Sequence, residues 1–214
     1  MSKPLVSANY NPAVFDVEDM EAAKKIILTY EKDLTVEQRW ENEAPYLMTL
    51  MDELNITKDS LVLDHGTGIG RLAKPIIEKY GCKVVGTDIS MNMRALANIY
   101  VNNHNFFSLS PQCSDILYGK VDVAISVWVL QHCLNLEYEI ENLKKILKPG
   151  AKLFVVNERN RMVPTDQGWM NDSKDIFMAL QGNFETEKIE MLDANVVSDL
   201  VARRTFYGIF KNKV

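Results

Sequence analysis

Basic charge, cysteine, histidine and long apolar runs are all scarce in this chain, and each scarcity removes a class of function. Its 24 lysines and arginines are outnumbered by 29 aspartates and glutamates, a formal net charge of −5. Phosphate backbones are bound by clustered cations, so no nucleic-acid partner is expected. Lys144, Lys145 and Lys148, the nearest approach to a basic cluster, suit the solvated face and last turn of one helix. The three cysteines, Cys82, Cys113 and Cys133, are scattered without C-x-x-C spacing, which predicts reduced thiols and a cytoplasmic protein. None of the three histidines is spaced as a ligand with them, so no metal site is expected. The longest apolar run, residues 121–130, contains Asp122 and is too short to span a bilayer. Residues 1–11 lack the charged-then-apolar pattern of a signal peptide, and no membrane partner is expected.

What is present suits one globular domain, with 47% hydrophobic and 25% charged residues. The most informative stretch is Leu61-Val62-Leu63-Asp64-His65-Gly66-Thr67-Gly68-Ile69-Gly70-Arg71. An apolar run meets an acidic residue and then glycines at every second position, and Leu72, Ile76 and Ile77 continue at helical spacing. Strand, glycine loop and helix in this order mark the place where open α/β sheets bind nucleotide-like ligands. The spacing is not that of a dinucleotide fingerprint, whose last glycine position is here Arg71, nor of a P-loop. A carboxylate at the strand tip, Asp64, suits a ligand carrying an ammonium group better than one carrying pyrophosphate.

On these residues the chain resembles the class I S-adenosylmethionine-dependent methyltransferases. Their first motif is an acidic residue followed by G-x-G-x-G, matched by Asp64, Gly66, Gly68 and Gly70, with His65 as a departure where the family more often has a small or apolar residue. The resemblance covers roughly residue 61 to the end of the chain and implies S-adenosyl-L-methionine as cofactor.

From residue 61 onward strands and helices alternate, the sequence form of a parallel sheet with crossover helices. Strands are predicted over residues 61–63, 83–87, 106–109, 121–129 and 152–156, and helices over 91–100 and 137–147. Two final strands cover 185–191 and 204–210, the last antiparallel at or near the sheet edge, as the resemblance implies. The expected fold is therefore a Rossmann-like doubly wound α/β sheet with an N-terminal helical extension: residues 1–56 as a lid or extension and 57–214 as the catalytic domain, one compact unit overall. In the extension, residues 17–30 read as a helix with an apolar stripe of Met20, Ala23, Ile27 and Tyr30. A second helix starts at Thr35, which forms a capping-box pattern with Gln38, and Pro45 is expected to kink or split it before Leu54.

Cofactor contacts are expected from Asp64, Gly66, Thr67, Gly68, Gly70, Asp88, Ile89, Met93 and Val127. Asp88 closes the second strand; the resemblance implies that it holds the ribose hydroxyls, and the alternative is a helix cap. Ile89 and Met93 would flank adenine, or Met93 would fill core. The resemblance places the adenine amine near residues 110–115, with Asp115 as a candidate. His132, in an L-x-H ending of the fourth strand, is the candidate catalytic base, or else it holds a loop. His65 and His104 are read as packing and as a solvated turn. Arg39 and Trp40 lie on the extension: Arg39 would hold a carboxylate and Trp40 would cover cofactor or substrate, against a core tryptophan beside a surface arginine. Residues 157–169 read as a long functional loop contributing Asn157, Arg159 and Trp169 to substrate binding.

The expected function is methyl transfer to a small-molecule acceptor. The rivals are an NAD-dependent oxidoreductase and a cofactor-binding module without catalysis. Neither the acceptor nor the oligomeric state is legible.

Overall fold

The computed structural model describes residues 8–29 and 34–213. Nine strands and seven helices occur among these residues. The strands are β1 (Leu61–His65), β2 (Lys83–Thr87), β3 (Phe106–Leu109), β4 (Val121–Val127), β5 (Leu147–Glu158), β6 (Val163–Thr165), β7 (Gly168–Met170), β8 (Phe184–Met191) and β9 (Thr205–Asn212). The helices are α1 (Met20–Ile27), α2 (Val36–Leu50), α3 (Ala73–Tyr80), α4 (Met91–Val101), α5 (Leu136–Ile146), α6 (Ile176–Asn183) and α7 (Asp199–Arg204).

Seven strands form one sheet in the order β3-β2-β1-β4-β5-β9-β8. The first five run parallel, and β9 is antiparallel to both β5 and β8. Short runs such as Val62-Leu63 and Ala124-Ile125 are fully buried because both faces of the sheet are covered. On one face lie α2, α3, α4 and α7, through Leu47, Ile76, Ala97 and Val201. On the other lie α5 and α6, through Leu136, Ile140 and Leu180. The order reverses between β1 and β4, so a crevice opens beyond the C-terminal ends of those strands.

Several local expectations are corrected. The last strand, β9, is antiparallel and lies near the edge as expected, one place in from β8, which forms it. Asp19 starts α1 later than expected, its carboxylate accepting from Ala22 N at 2.8 Å, and Tyr30 lies outside the described residues. The Thr35–Gln38 capping box is present. Pro45 does not split α2, which runs unbroken through it. Glu41, whose carbonyl loses a donor to the proline, and Pro45 are both exposed, where water can take that carbonyl. Strand β4 ends two residues early because Trp128 takes a left-handed backbone, φ 55, a strained conformation for a bulky residue.

The supposed loop at 157–169 is the end of β5 followed by the hairpin β6–β7. It is joined to the N-terminal segment by a bridge between Tyr10 and Thr165. Asn11 N donates to Pro164 O at 3.0 Å and Asp166 N to Asn9 O at 2.9 Å. Asn9 also donates from its backbone and side chain to the Asp166 carboxylate, at 3.1 and 2.9 Å. Chain segments more than 150 residues apart thus form one cover over the crevice.

Candidate active site

Beneath this cover lies a cavity of about 770 Å³ bordered by the tips of β1, β2 and β4, the start of α5, and the cover itself. Its floor is the glycine loop. Gly66 and Gly68 both have positive φ, 73 and 54, and border the cavity. A Cβ on Gly66 would come 2.2 Å from Val129 Cγ2, and one on Gly68 2.8 Å from Ile27 Cδ1. The bare backbone there is a steric requirement. Gly70 differs: it is off the cavity wall, and its Cβ would strike Val101 Cγ2 at 2.4 Å. It packs closely against α4. Gly86 was not singled out in the sequence, yet a Cβ there would meet the Thr67 side chain at 2.7 Å.

Asp64 is buried at the end of β1 and accepts a 2.7 Å bond from Thr67 Oγ1. Burial raises its carboxyl to about 6, with the Thr67 hydroxyl opposing the shift. Asp88 Oδ2 accepts from Gly68 N and Oδ1 from Ser90 N, both at 2.9 Å. Burial raises this carboxyl too, and the two amides oppose it. The cap of α4 is Ser90, whose hydroxyl accepts from Met93 N. Asp88 therefore ties the glycine loop to the entry of that helix while facing the cavity. Ile89, Met93 and Val127 are on the wall; Met93 also packs into a small core beneath α1. Pro111 and Gln112 border the cavity, but Asp115 is exposed and off the wall.

Arg39 reaches the cavity wall, whereas Trp40 does not. Arg39 Nε bonds Glu43 Oε1 at 2.6 Å, and Arg71 Nη2 lies 3.4 Å from Glu43 Oε2. All three side chains are buried. Two guanidinium groups thus meet at one carboxylate beside the glycine loop. Arg71 Nε has no partner among the described residues. Trp40 packs edge-on against Tyr100 and lies 5.3 Å from the Arg71 guanidinium. It supports Arg71 from behind, the packing position that was the alternative for this residue.

At the other end His132 stands in a short 3-10 turn, Leu130–His132. Its Nδ1 is 2.7 Å from Met162 O and its Nε2 3.1 Å from Gln131 Nε2. A carbonyl only accepts, so Nδ1 carries the proton and the Nε2 lone pair accepts from the Gln131 amide. Burial lowers the imidazole below its ordinary value, partly offset by the Met162 carbonyl, which favours the neutral form a base requires. The Gln131 orientation is set by its Oε1, which accepts from Asn157 Nδ2 at 3.1 Å and Glu158 N at 3.2 Å. Arg161, fully buried, holds the same turn by donating to Leu130 O and Leu134 O at 3.2 and 3.0 Å.

Trp169 and Phe15 flank the His132 ring, at 5.2 and 5.7 Å between centroids. Both border the cavity, as does Tyr10, whose phenol burial pushes up to about 12. Asn157 and Arg159, expected beside Trp169, are not on the wall. Asn157 is fully buried in β5 with its amide committed to Gln131, and Arg159 lies over the Phe177 ring at 5.5 Å. His65, set aside as packing, does border the cavity, and its Nε2 is 3.4 Å from Glu139 Oε2. Tyr10, Phe15 and Glu139 carried no local motif. Only the long-range pairing of the cover and the packing of α5 bring them in.

Among the described residues no group of histidine, cysteine or carboxylate side chains could hold a metal ion. No helix among them is long and apolar enough to cross a membrane. The arrangement offers a backbone cradle, the carboxylates of Asp64 and Asp88, two buried guanidinium groups and, across the cavity, an imidazole in an aromatic setting.

Residues 39–204 match the family model of a methyltransferase domain. A ubiquinone/menaquinone biosynthesis C-methyltransferase of Syntrophotalea carbinolica is 27% identical over 126 residues, covering 56% of this chain and 51% of that protein. A ubiquinone biosynthesis O-methyltransferase of Coxiella burnetii is 27% identical over 115 residues, 51% of this chain and 48% of its own length. The chain spans about half the length of these two curated relatives. Among solved structures, a geranyl diphosphate methyltransferase in complex with GPP and sinefungin superposes with a TM-score of 0.63 at 13% identity, covering 79% and 78% of the two chains. The [4+2]-cyclase SpnF superposes at 0.64 and 16% identity, over 80% of this chain and 81% of that one. These structural likenesses establish the Rossmann-like fold, and the family match spans most of the sequence: the chain belongs to the methyltransferase-domain family.

Proposed function

We propose that the chain transfers a methyl group from S-adenosylmethionine to a small-molecule acceptor. The observation that carries this reading is the Gly66–Gly68 cradle tied by hydrogen bond to Asp88, a half-buried carboxylate on the same cavity wall. When bound, the cofactor supplies a methyl group already activated by its sulfonium. The protein's own work is then alignment, exclusion of water and, for an acceptor that must lose a proton, a base.

Asp88 is the group to accept ribose hydroxyls, its oxygens keeping lone pairs beyond those used by Gly68 N and Ser90 N. Asp64 supplies negative charge at the glycine loop. The guanidinium groups of Arg39 and Arg71 on the same wall suit a carboxylate, and Ile89 and Met93 offer apolar flanks. Two carboxylates and an arginine at the third-glycine position suit a pyrophosphate poorly.

At the far end, His132 Nε2 takes the acceptor's proton after exchanging its bond to Gln131 for one to the acceptor. Tyr10, Phe15 and Trp169 give that end aromatic walls, which fits an acceptor with a planar or apolar body. The names of the relatives, directed to ubiquinone and geranyl diphosphate, support a small-molecule acceptor.

Thermal shifts with S-adenosylhomocysteine and with NAD test the cofactor. Stabilisation by the first alone is expected, and stabilisation by NAD alone overturns the reading. Incubation with methyl-labelled cofactor and a metabolite extract tests turnover. Binding with no label transferred to any compound would leave a binding module without catalysis.

A further inference from the structure

Arg161 is fully buried, and the proposed chemistry gives its charge no task. Burying a guanidinium is costly unless its donors and its charge are taken up. Two of its nitrogens span the turn that carries His132: Nη1 donates to Leu130 O at 3.2 Å and Nη2 to Leu134 O at 3.0 Å. The main chain of the next residue completes the hold. Met162 N donates to Gln131 O at 2.9 Å, and Met162 O accepts from His132 Nδ1 at 2.7 Å. Arg161 and Met162 together thus bond Leu130, Gln131, His132 and Leu134. A planar guanidinium can hold two carbonyls at a fixed spacing, whereas an ammonium is a single point.

The third nitrogen meets a carboxylate. Arg161 Nε lies 3.4 Å from Asp172 Oδ1, an ion pair without a directed hydrogen bond. Only 11% of the Asp172 side chain is exposed, so salt screens the pair weakly. In the hairpin β6–β7, Val163 stands opposite Met170 and Thr165 opposite Gly168. The same count, continued outward, sets Arg161 opposite Asp172, so the ion pair closes the base of the hairpin. The rest of that hairpin belongs to the cover. Thr165 bridges to Tyr10, Asn11 N bonds Pro164 O, and Trp169 stands 5.2 Å from the His132 ring. Just beyond Asp172, Lys174 Nζ bonds Glu137 Oε2 in the first turn of α5 at 2.6 Å. The hairpin base is therefore fastened on both sides of the turn that bears His132.

We infer that Arg161 is a positioning residue: paired with Asp172 at the hairpin base, it locks the turn bearing His132 to the cover, so that cover and imidazole are placed as one unit. The inference rests on His132 as the proposed base, but its readouts are taken on the ligand-free full chain and need no acceptor. The test is nitrogen-15 NMR of the His132 ring at about pH 8, where an imidazole is neutral, together with amide hydrogen exchange. The unaltered protein is expected to show the His132 proton on Nδ1 alone. Arg161→Lys keeps the charge but cannot span both carbonyls, and comparable amounts of the two tautomers are expected. Asp172→Asn keeps the fork and opens the hairpin base. Exchange should then quicken about tenfold or more, over residues 163–170 and at the His132 amide alike, with the amides of β1 and β4 unchanged. A side chain that only filled the core would lower the melting temperature on substitution and leave the tautomer as it was. A single Nδ1 tautomer retained in folded Arg161→Lys overturns the inference, as does exchange in Asp172→Asn that quickens in the hairpin but not at His132. Should Arg161→Lys fail to fold, the exchange pattern of Asp172→Asn decides alone. Turnover unchanged in His132→Ala would remove the base while leaving the coupling of turn and cover in place.

Discussion

The two ends of the cavity are built by opposite means. At the glycine-loop end the surface is backbone, shaped by residues 64–70 and by β2, and its charged groups are fixed by short-range bonds such as Thr67 to Asp64 and Gly68 N to Asp88. At the aromatic end the surface is side chain, from Phe15, His132 and Trp169, and it exists only because the N-terminal segment pairs with the β6–β7 hairpin. The first end is set once the sheet forms. The second depends on a strip of hydrogen bonds in which the Asn9–Asp166 contacts are exposed.

Substitutions can break this contrast, and the glycine loop is where the largest effect is expected. Gly66→Ala places a methyl group against Val129 at a positive φ, costing about 2–3 kcal/mol of stability. It should abolish measurable S-adenosylhomocysteine binding by calorimetry; retained affinity would mean the loop does not contact the ligand. Asp88→Ala is next, with affinity falling about 10- to 100-fold, the worth of charge-assisted bonds.

His132→Ala tests the other end. We expect turnover to fall on the order of 100-fold, the usual contribution of a positioned base, with cofactor affinity within about threefold of the unaltered protein. An unchanged rate would remove His132 from the chemistry. Trp169→Ala should raise the acceptor KM several-fold and leave the melting temperature nearly unchanged, since Trp169 is 50% exposed. Asn9→Ala is the mildest, costing under about 1 kcal/mol, and it should show as faster amide exchange confined to residues 163–170.

The pH dependence separates the ends as well. Asp64 has a raised folded-state value, about 6 against an ordinary 3.8. Its contribution to the stability of the ligand-free protein is thus fully present below the ordinary value and is lost as pH rises through 6. Affinity for the ammonium-bearing cofactor should move the other way, gaining as the carboxylate ionises over that window. The imidazole of His132 is shifted below its ordinary value, so the acid limb of kcat should lie below about 6.5. Thermal melts across pH 4 to 7 check the first statement, and a separate plot of kcat and KM against pH the second.

How much was legible follows the same divide. Asp64, Gly66, Gly68 and Asp88 are readable because strand, loop and helix are adjacent in sequence and their spacing is set by backbone geometry. His65 was not, because it acquires meaning only from Glu139 on α5 and Ser126 on β4. Tyr10 and Phe15 carry no periodic signal, and their placement follows from pairing with a hairpin at the far end of the chain. The polar composition of residues 157–169 suggested a loop, since a two-strand hairpin with three-residue strands gives hardly any alternation to detect. Asn157 and Trp40 have the residue types of ligand contacts but serve as supports, one behind Gln131 and the other behind Arg71.

The shared carboxylate of Glu43 carries a consequence for where the protein can be cut. It lies on α2, well before the first strand, yet it neutralises Arg71 at the mouth of the glycine loop. A fragment beginning after residue 43 would keep every strand and the whole glycine motif. It would also strip Arg71 of its counter-charge Glu43, of the Arg39 carbonyl it donates to and of the Trp40 ring that packs against it. The smallest piece that can hold the loop in its working shape therefore begins upstream of the motif that defines it.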